Sequence, residues 1–301
     1  MQLKIAFLCL AHNNFDFIDK LSHYYCSDDD RLFLHVDSQV NDADIKLTNQ
    51  DIYVLPKESR HRTRWGSYNI VKATLELLKA ALATNQYDRF ILISGADTPL
   101  LPKQTLKAKL KADISYFSHW KTASTSDSQD NREFFRRHYY LSSLTNPGEA
   151  YLTKSKLKIY IMLLLNKFIA TLPQTTPFSF EHYIKGSQWW VMTNELASYI
   201  SKEFTNETIS NQFKSMHAPD EKAIQTIAFN SPFLDKIEFD KGQDSLKQGL
   251  HYIDWGFADK SYQLQEFSPK IIEKAKTLGC AFARKVPSDK QGEFIKFIEN
   301  F

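Results

Sequence analysis

The chain has 301 residues, 43% of them hydrophobic and 24% charged, which is enough apolar material to bury a full α/β core. Its 38 basic and 35 acidic residues leave a net charge of only +3, so no global field draws nucleic acid to it. Cys9, Cys26 and Cys280 are odd in number and far apart, which argues against a disulfide framework or zinc ribbon and for a reducing, cytoplasmic compartment.

The apolar run from Ile5 to Ala11 is short and lacks a small-x-small cleavage site, so it reads as a first core strand rather than a signal peptide. A continuous apolar run is what a parallel strand covered on both faces requires. After His12-Asn13-Asn14 the pattern predicts a helix over Phe15 to Tyr25, then a strand over Arg31 to Asp37 and a short strand over Ile52 to Leu55. Ile70, Val71, Leu75, Leu77, Leu78, Ala81 and Leu82 repeat at helical spacing within Tyr68 to Ala83. A fourth strand, Arg89 to Ser94, closes on Gly95-Ala96-Asp97-Thr98-Pro99. This β-α-β-β-α-β order predicts a mostly parallel sheet with helices on both faces.

In such sheets ligands bind beyond the carboxyl ends of the strands. Those ends carry His12-Asn13-Asn14, His35-Val36-Asp37 and Gly95-Ala96-Asp97, which together point to one cleft, although turns alone would also place Asp, Asn and Gly there. His12 and His35 could hydrogen-bond a base or ribose, or be satisfied and partly buried. No G-x-G-x-x-G or P-loop occurs among only nine glycines, so a bound phosphate must be held by side chains or a metal. Asp28-Asp29-Asp30 and Asp42-Ala43-Asp44 have a spacing that can hold Mg²⁺ or Mn²⁺. Neither pair ends an apolar strand, and both read as turn acids.

Past Asp113 a strand is predicted near Ile114 to Phe117, followed by a polar loop to Asn131. Arg132 to Tyr140 then interleaves charge, including Arg136 and Arg137, with aromatics. That mixture suits a sugar or phosphate and equally a solvated helix with aromatics on its inner face. The apolar stretch Leu157 to Leu172 is too interrupted to cross a membrane and reads as a core helix. With Lys154, Lys156 and Lys158 beside it, segment 154–170 could instead lie on an anionic bilayer.

Lys185 to Met192 reads as a strand carrying Gln188, Trp189 and Trp190. Adjacent tryptophans on a strand face opposite ways, so one can be core and the other a binding platform, or both structural. Thr193-Asn-Glu-Leu caps the next helix. In the segment from Ser215 to Pro232, Pro219 suits a first helical position, and Asp220 and Glu221 fall in the first turn. A carboxylate there can be a simple cap or a placed, accessible general base. His251 to Trp255 is a further short strand, whose Asp254 and Trp255 could reach an acceptor or merely pack. Cys280 to Val286 ends in Arg284 and Lys285. No repeat or linker appears, so the expectation is a single domain over 1–301, with a nucleotide-binding half (1–112) and an acceptor and catalytic half (113–301).

Taken together, these stretches resemble the core-2/I-branching β-1,6-N-acetylglucosaminyltransferase and peptide O-xylosyltransferase family. The matching pieces are Ile5-Ala-Phe-Leu-Cys-Leu-Ala-His12, His35-Val-Asp37, Arg64-Trp-Gly-Ser67, Leu92-Ile-Ser-Gly-Ala-Asp97-Thr-Pro99, Lys185-Gly-Ser-Gln-Trp-Trp190, Ala218-Pro-Asp-Glu221, Tyr252-Ile-Asp-Trp255 and Phe282-Ala-Arg-Lys285. The resemblance implies a GT-A-like fold and an inverting, metal-independent transfer from a UDP-sugar, GlcNAc or xylose, to a glycan or lipid-linked glycan. It makes Glu221 the base, sets Asp37 at the nucleotide and turns Lys285 toward the donor diphosphate, with Arg284 sharing that role. His12, Trp65 and Asp97 complete the donor side of this reading, and Arg136, Arg137, Gln188, Trp189, Trp190, Asp254 and Trp255 the acceptor side. No cofactor or divalent metal is expected. The rivals are a metal-dependent transferase or sugar nucleotidyltransferase using an Asp-x-Asp pair, and a carbohydrate-binding protein without turnover. Lacking an anchor, a stem and disulfides, the chain fits a bacterial member acting in surface polysaccharide synthesis.

Overall fold

Seven strands form the central sheet in the computed structural model, which describes residues 2–27, 29–126, 156–169, 178–214, 216–256 and 265–301. The chain runs β1 (Ile5–Ala11), α1 (Phe15–Tyr25), β2 (Arg31–Val36), β3 (Tyr53–Val54), α2 (Tyr68–Leu82), β4 (Arg89–Ser94), β5 (Thr98–Pro99), α3 (Lys103–Lys109), β6 (Ser115–His119) and β7 (Lys121–Ser124). It continues through α4 (Lys156–Ile169), β8 (His182–Lys185), β9 (Val191–Thr193), α5 (Asn194–Glu203), α6 (Glu207–Phe213), α7 (Ala223–Phe229), β10 (Ile237–Lys241), β11 (Lys247–Gln248), β12 (His251–Ile253), α8 (Ile272–Thr277), β13 (Phe282–Arg284) and α9 (Gln291–Ile298).

The sheet order is β10-β6-β9-β4-β1-β2-β3. Every pairing is parallel except those of β9, which is antiparallel to both β4 and β6. This is the expected α/β architecture, a mostly parallel sheet of GT-A-like form in one compact domain. Strands from beyond residue 112 join the same sheet as β1 to β4, so the two halves of the sequence share one layer.

The alternation of side chains along each strand explains why both faces need cover. Phe7, Cys9, Leu34 and Ile93 point into one apolar cluster with α1 and Phe294 of α9. Ala6, Leu8, Phe33 and Leu92 point into the other with α2, α5 and α7. A smaller sheet, β11-β12-β13-β5, packs against the first cluster through Tyr252, Phe282 and Ala283. β7 and β8, distant in sequence, pair antiparallel as a separate two-stranded sheet.

Three expectations change. Lys185 to Met192 is not one strand, because β8 ends at Lys185 and β9 begins at Val191. The break falls at Gly186, where a Cβ would lie 2.0 Å from the Ser118 carbonyl oxygen. The single helix expected from Pro219 is a 3₁₀ turn, Pro219–Glu221, and then α7, separated at Lys222 (φ −131°, ψ −45°). Ala218 before the turn is left-handed, at φ 45°. Third, α4 is not a core helix, since Leu157, Tyr160, Ile161 and Leu164 are exposed. Among the described residues no helix is long and apolar enough to cross a membrane.

Candidate active site

Parallel strands deliver their carboxyl ends to a common rim, where His12, Asp37 and Asp97 follow β1, β2 and β4. His12 follows β1 and is exposed. Asp37 follows β2, and its carboxylate is already engaged. Oδ1 accepts from the Gln39 N–H at 2.8 Å, and Oδ2 accepts from the Thr63 N–H at 2.6 Å and the Thr63 hydroxyl at 2.7 Å. Asp37 thereby ties the 60–67 loop to the strand end. That loop presents Trp65, which is 68% exposed and meets the His217 ring edge-on at 5.2 Å.

His35 lies deeper. Its Nε2 accepts from the His61 N–H at 2.8 Å, and burial followed by the nearby His61 ring lowers its pKa to about 4. It is therefore a neutral structural histidine over the working pH range.

Asp97, after β4, is fully enclosed. It accepts from the Ser94 N–H (2.7 Å) and hydroxyl (2.8 Å), and faces Arg284 Nη1 at 3.6 Å, an ion-pair separation rather than a hydrogen bond. Burial raises the Asp97 pKa and lowers that of Arg284, and each partner opposes the other's shift. The Arg284 guanidinium also lies over the Trp189 ring, 4.0 Å from its centroid. Arg284 is thus held by Asp97 and Trp189, with only 14% of its side chain exposed.

Lys285 differs. It is exposed, and among the described residues its ammonium has no ion-pair partner. Its carbonyl accepts from Phe267, and the next N–H, of Val286, bonds to the Ala96 carbonyl. These contacts fix Lys285 beside the loop that leaves β4.

Glu221 sits on the 3₁₀ turn, which packs against α2 and α7. His217, just before the turn, meets the Trp65 ring of the 60–67 loop, which sets this segment beside that loop. The N-cap of the turn is Ala218, which has no polar side chain to cap it, and the Asp220 Oδ1 has no hydrogen-bond partner among the described residues. Burial and then the Glu221 charge push Asp220 up to about 7. Burial also raises Glu221, opposed chiefly by Lys185, whose ammonium lies 3.3 Å from Oε2. The Glu221 side chain keeps 17% of its surface exposed.

The Lys185-Gly186-Ser187 run buttresses this turn. The Gly186 N–H donates to the Glu221 carbonyl (2.9 Å), and Gln225, buried in α7, donates to the Ser187 carbonyl (2.6 Å). Lys222 donates to the His217 carbonyl (2.8 Å), and burial draws its pKa down to about 8.

Other assignments fall differently. Trp190 has no exposed surface and stacks near Phe117 in the second core cluster, so no ring face is left for a sugar. Trp189 is buried under Arg284. Gln188 is half-buried. Asp254 accepts from the Gly256 N–H at 2.8 Å, and Trp255 packs, half-buried, against the second cluster. Arg136 and Arg137 lie outside the described residues.

The Asp-x-Asp runs are structural where described. Asp30 bridges Lys103 (2.9 Å) and Lys107 (3.1 Å), and Asp42 pairs with Lys57 (3.1 Å) and Arg60 (2.7 Å). Among the described residues no three His, Cys, Asp or Glu side chains are grouped to hold a metal. Sequence reasoning missed Lys185, His217 and Thr63, whose partners lie far along the chain.

The chain matches the family model for the Core-2/I-Branching enzyme over residues 5–276. No curated protein is similar enough to match.

Proposed function

The chain belongs to the Core-2/I-Branching enzyme family, a family of glycosyltransferases, and from that premise we propose an inverting transfer from a UDP-sugar. The donor sugar is GlcNAc or xylose, the product a β-linkage on a glycan or lipid-linked glycan, and the setting bacterial surface polysaccharide synthesis. The observation that supports this reading best is Glu221, a partly exposed carboxylate on a turn braced by Lys185 and Gly186.

In this mechanism the acceptor hydroxyl attacks the anomeric carbon from the face opposite UDP. The new C–O bond forms as the bond to the diphosphate oxygen breaks, and the hydroxyl proton passes to Glu221. A base placed this way contributes about 10²–10⁴-fold. Negative charge builds on the departing diphosphate, where Lys285 supplies a fixed positive partner without a divalent ion. Arg284, already paired with Asp97, anchors the backbone that carries Lys285. Asp37 and His12 flank the nucleotide, and Trp65 offers an aromatic face to a sugar ring.

The test combines binding with turnover. UDP and UDP-sugars at 100 times their dissociation constants should each add about 2.7 kcal/mol of stability, equally with and without EDTA. Glu221→Gln should keep that increment and lose at least about a hundredfold in turnover. A requirement for Mn²⁺, or full activity in the variant, would overturn the reading.

The exposed face of α4 fits an anionic bilayer as the place of the acceptor. Leu157, Tyr160, Ile161 and Leu164 repeat at i, i+3, i+4 and i+7, and the helix carries Lys156, Lys158 and Lys167 with no acid. The protein should float with anionic but not zwitterionic vesicles, and Ile161→Glu with Leu164→Glu should abolish flotation. Failure to float, with a dimer dissociated by the same changes, would assign this face to a second copy instead.

A further inference from the structure

Glu221 does not stand alone, and its neighbours are unusually well fixed. The Lys185 carbonyl accepts from the Trp120 N–H at 2.7 Å, and its ammonium lies 5.4 Å from the centroid of the Trp120 ring. That ring is in turn held by its indole N–H, which donates to the wholly buried Gln248 at 2.7 Å. From this seat the ammonium reaches the Glu221 carboxylate at 3.3 Å, while the adjacent Gly186 N–H binds the Glu221 carbonyl. The same short segment therefore grips both the side chain and the backbone of Glu221.

We infer that Lys185 is the positioning residue of this site, holding the Glu221 carboxylate in place and charged so that it can receive the acceptor proton. The inference rests on Glu221 being the base. The charged groups acting on Glu221 are Lys185 from β8 and, from its own turn, Lys222 and Asp220. Of these, Lys222 also donates to the His217 carbonyl, a hydrogen bond that leaves its charge in place. Helix α7 presents no titratable side chain, and Tyr68 at the start of α2 bonds to Ser210. Lys185 is the larger of the two cationic influences on Glu221 and Lys222 the smaller. A partly enclosed carboxylate without its cation prefers to be protonated, and a protonated base is idle.

The experiment is the pH dependence of kcat/KM in Lys185→Met and Lys185→Arg, with Glu221→Gln alongside. A base must be ionised to act, so activity rises with pH through the pKa of Glu221 in the free enzyme. In Lys185→Met that acid limb should move up by about one pH unit or more, and the rate should recover as pH rises. Lys185→Arg, which keeps the charge, should leave the limb close to the wild-type position. A purely structural role would lower the whole profile without moving the limb, and that result overturns the inference. If Lys185→Met does not fold, Lys185→Gln carries the same comparison, and retention of the UDP melting increment reports an intact donor site. An acid limb that survives in Glu221→Gln refutes the base assignment. A limb lost in Glu221→Gln yet unmoved in Lys185→Met refutes only the role of Lys185.

Discussion

Gly186→Ala is the most direct probe of how the turn is held. The φ of Gly186 is not in the left-handed region, so the constraint is space alone. An added Cβ would lie 2.0 Å from the Ser118 carbonyl oxygen and 2.9 Å from its carbon. An ordinary C···O contact is about 3.3 Å, so something must retreat by roughly 1.3 Å. Ser118 belongs to β6 and is in register with Asp240 of β10, so the yielding side is the 185–187 segment. That segment carries the 2.9 Å bond to the Glu221 carbonyl and the 3.3 Å ion pair. Overpacking of this kind costs about 1–3 kcal/mol, and a displacement near 1 Å at a reacting group costs about a hundredfold in rate. The expected result is a melting point lower by several degrees and, at a temperature where both proteins are fully folded, about a hundredfold loss of kcat. Both would be read by thermal melting and initial transfer rates on the same preparations. An alanine variant that melts and turns over like the wild type would refute the close approach and the bracing role built on it.

Arg284→Met should destabilise the protein by about 3–5 kcal/mol in denaturant melts, because it leaves the enclosed Asp97 carboxylate without its cation; Asp97→Asn added to it should recover part of that loss. Lys285→Ala should weaken UDP far more than uridine in calorimetric titrations, since only UDP carries the diphosphate, and equal weakening would make the lysine structural. Asp220 binds its proton more tightly folded than unfolded, with a pKa of about 7 against 3.8. Its contribution to stability therefore falls as pH rises between those values. Asp220→Asn should gain melting temperature relative to wild type across that window, and a constant difference would show that the group does not titrate there.

How much of this was legible in the sequence depends on how local each cause is. The continuous apolar run at Ile5–Ala11 and the spacing in Tyr68–Leu82 are self-contained signals, and the elements appear nearly as expected. The motif singles out Glu221, while the pattern around it predicts one helix rather than a turn and a separate helix. The sequence pattern offers Pro219 as a helix start, whereas the left-handed Ala218 and the Lys222-to-His217 bond make a separate turn. Lys185–Met192 read as one strand because nothing in it reports the nearby Ser118 carbonyl. Arg284 and Lys285 are adjacent cations in sequence, and only tertiary structure shows that Asp97 engages one and leaves the other exposed. The apolarity of α4 suggested a core position, but apolar content does not say which side of a helix has a neighbour.

The reversed direction of β9 has a consequence for how this rim is supplied. A strand running with its neighbours reaches the rim as it ends, so whatever it offers must hang on the loop that departs. A strand running against them starts there, and the residues just before it are drawn taut into the sheet. Gly186 to Trp190 are such an inbound thread, moored at Val191 by backbone bonds on both flanks. Lengthening that thread by even one residue should slacken the rim far more than a similar insertion in an outbound loop.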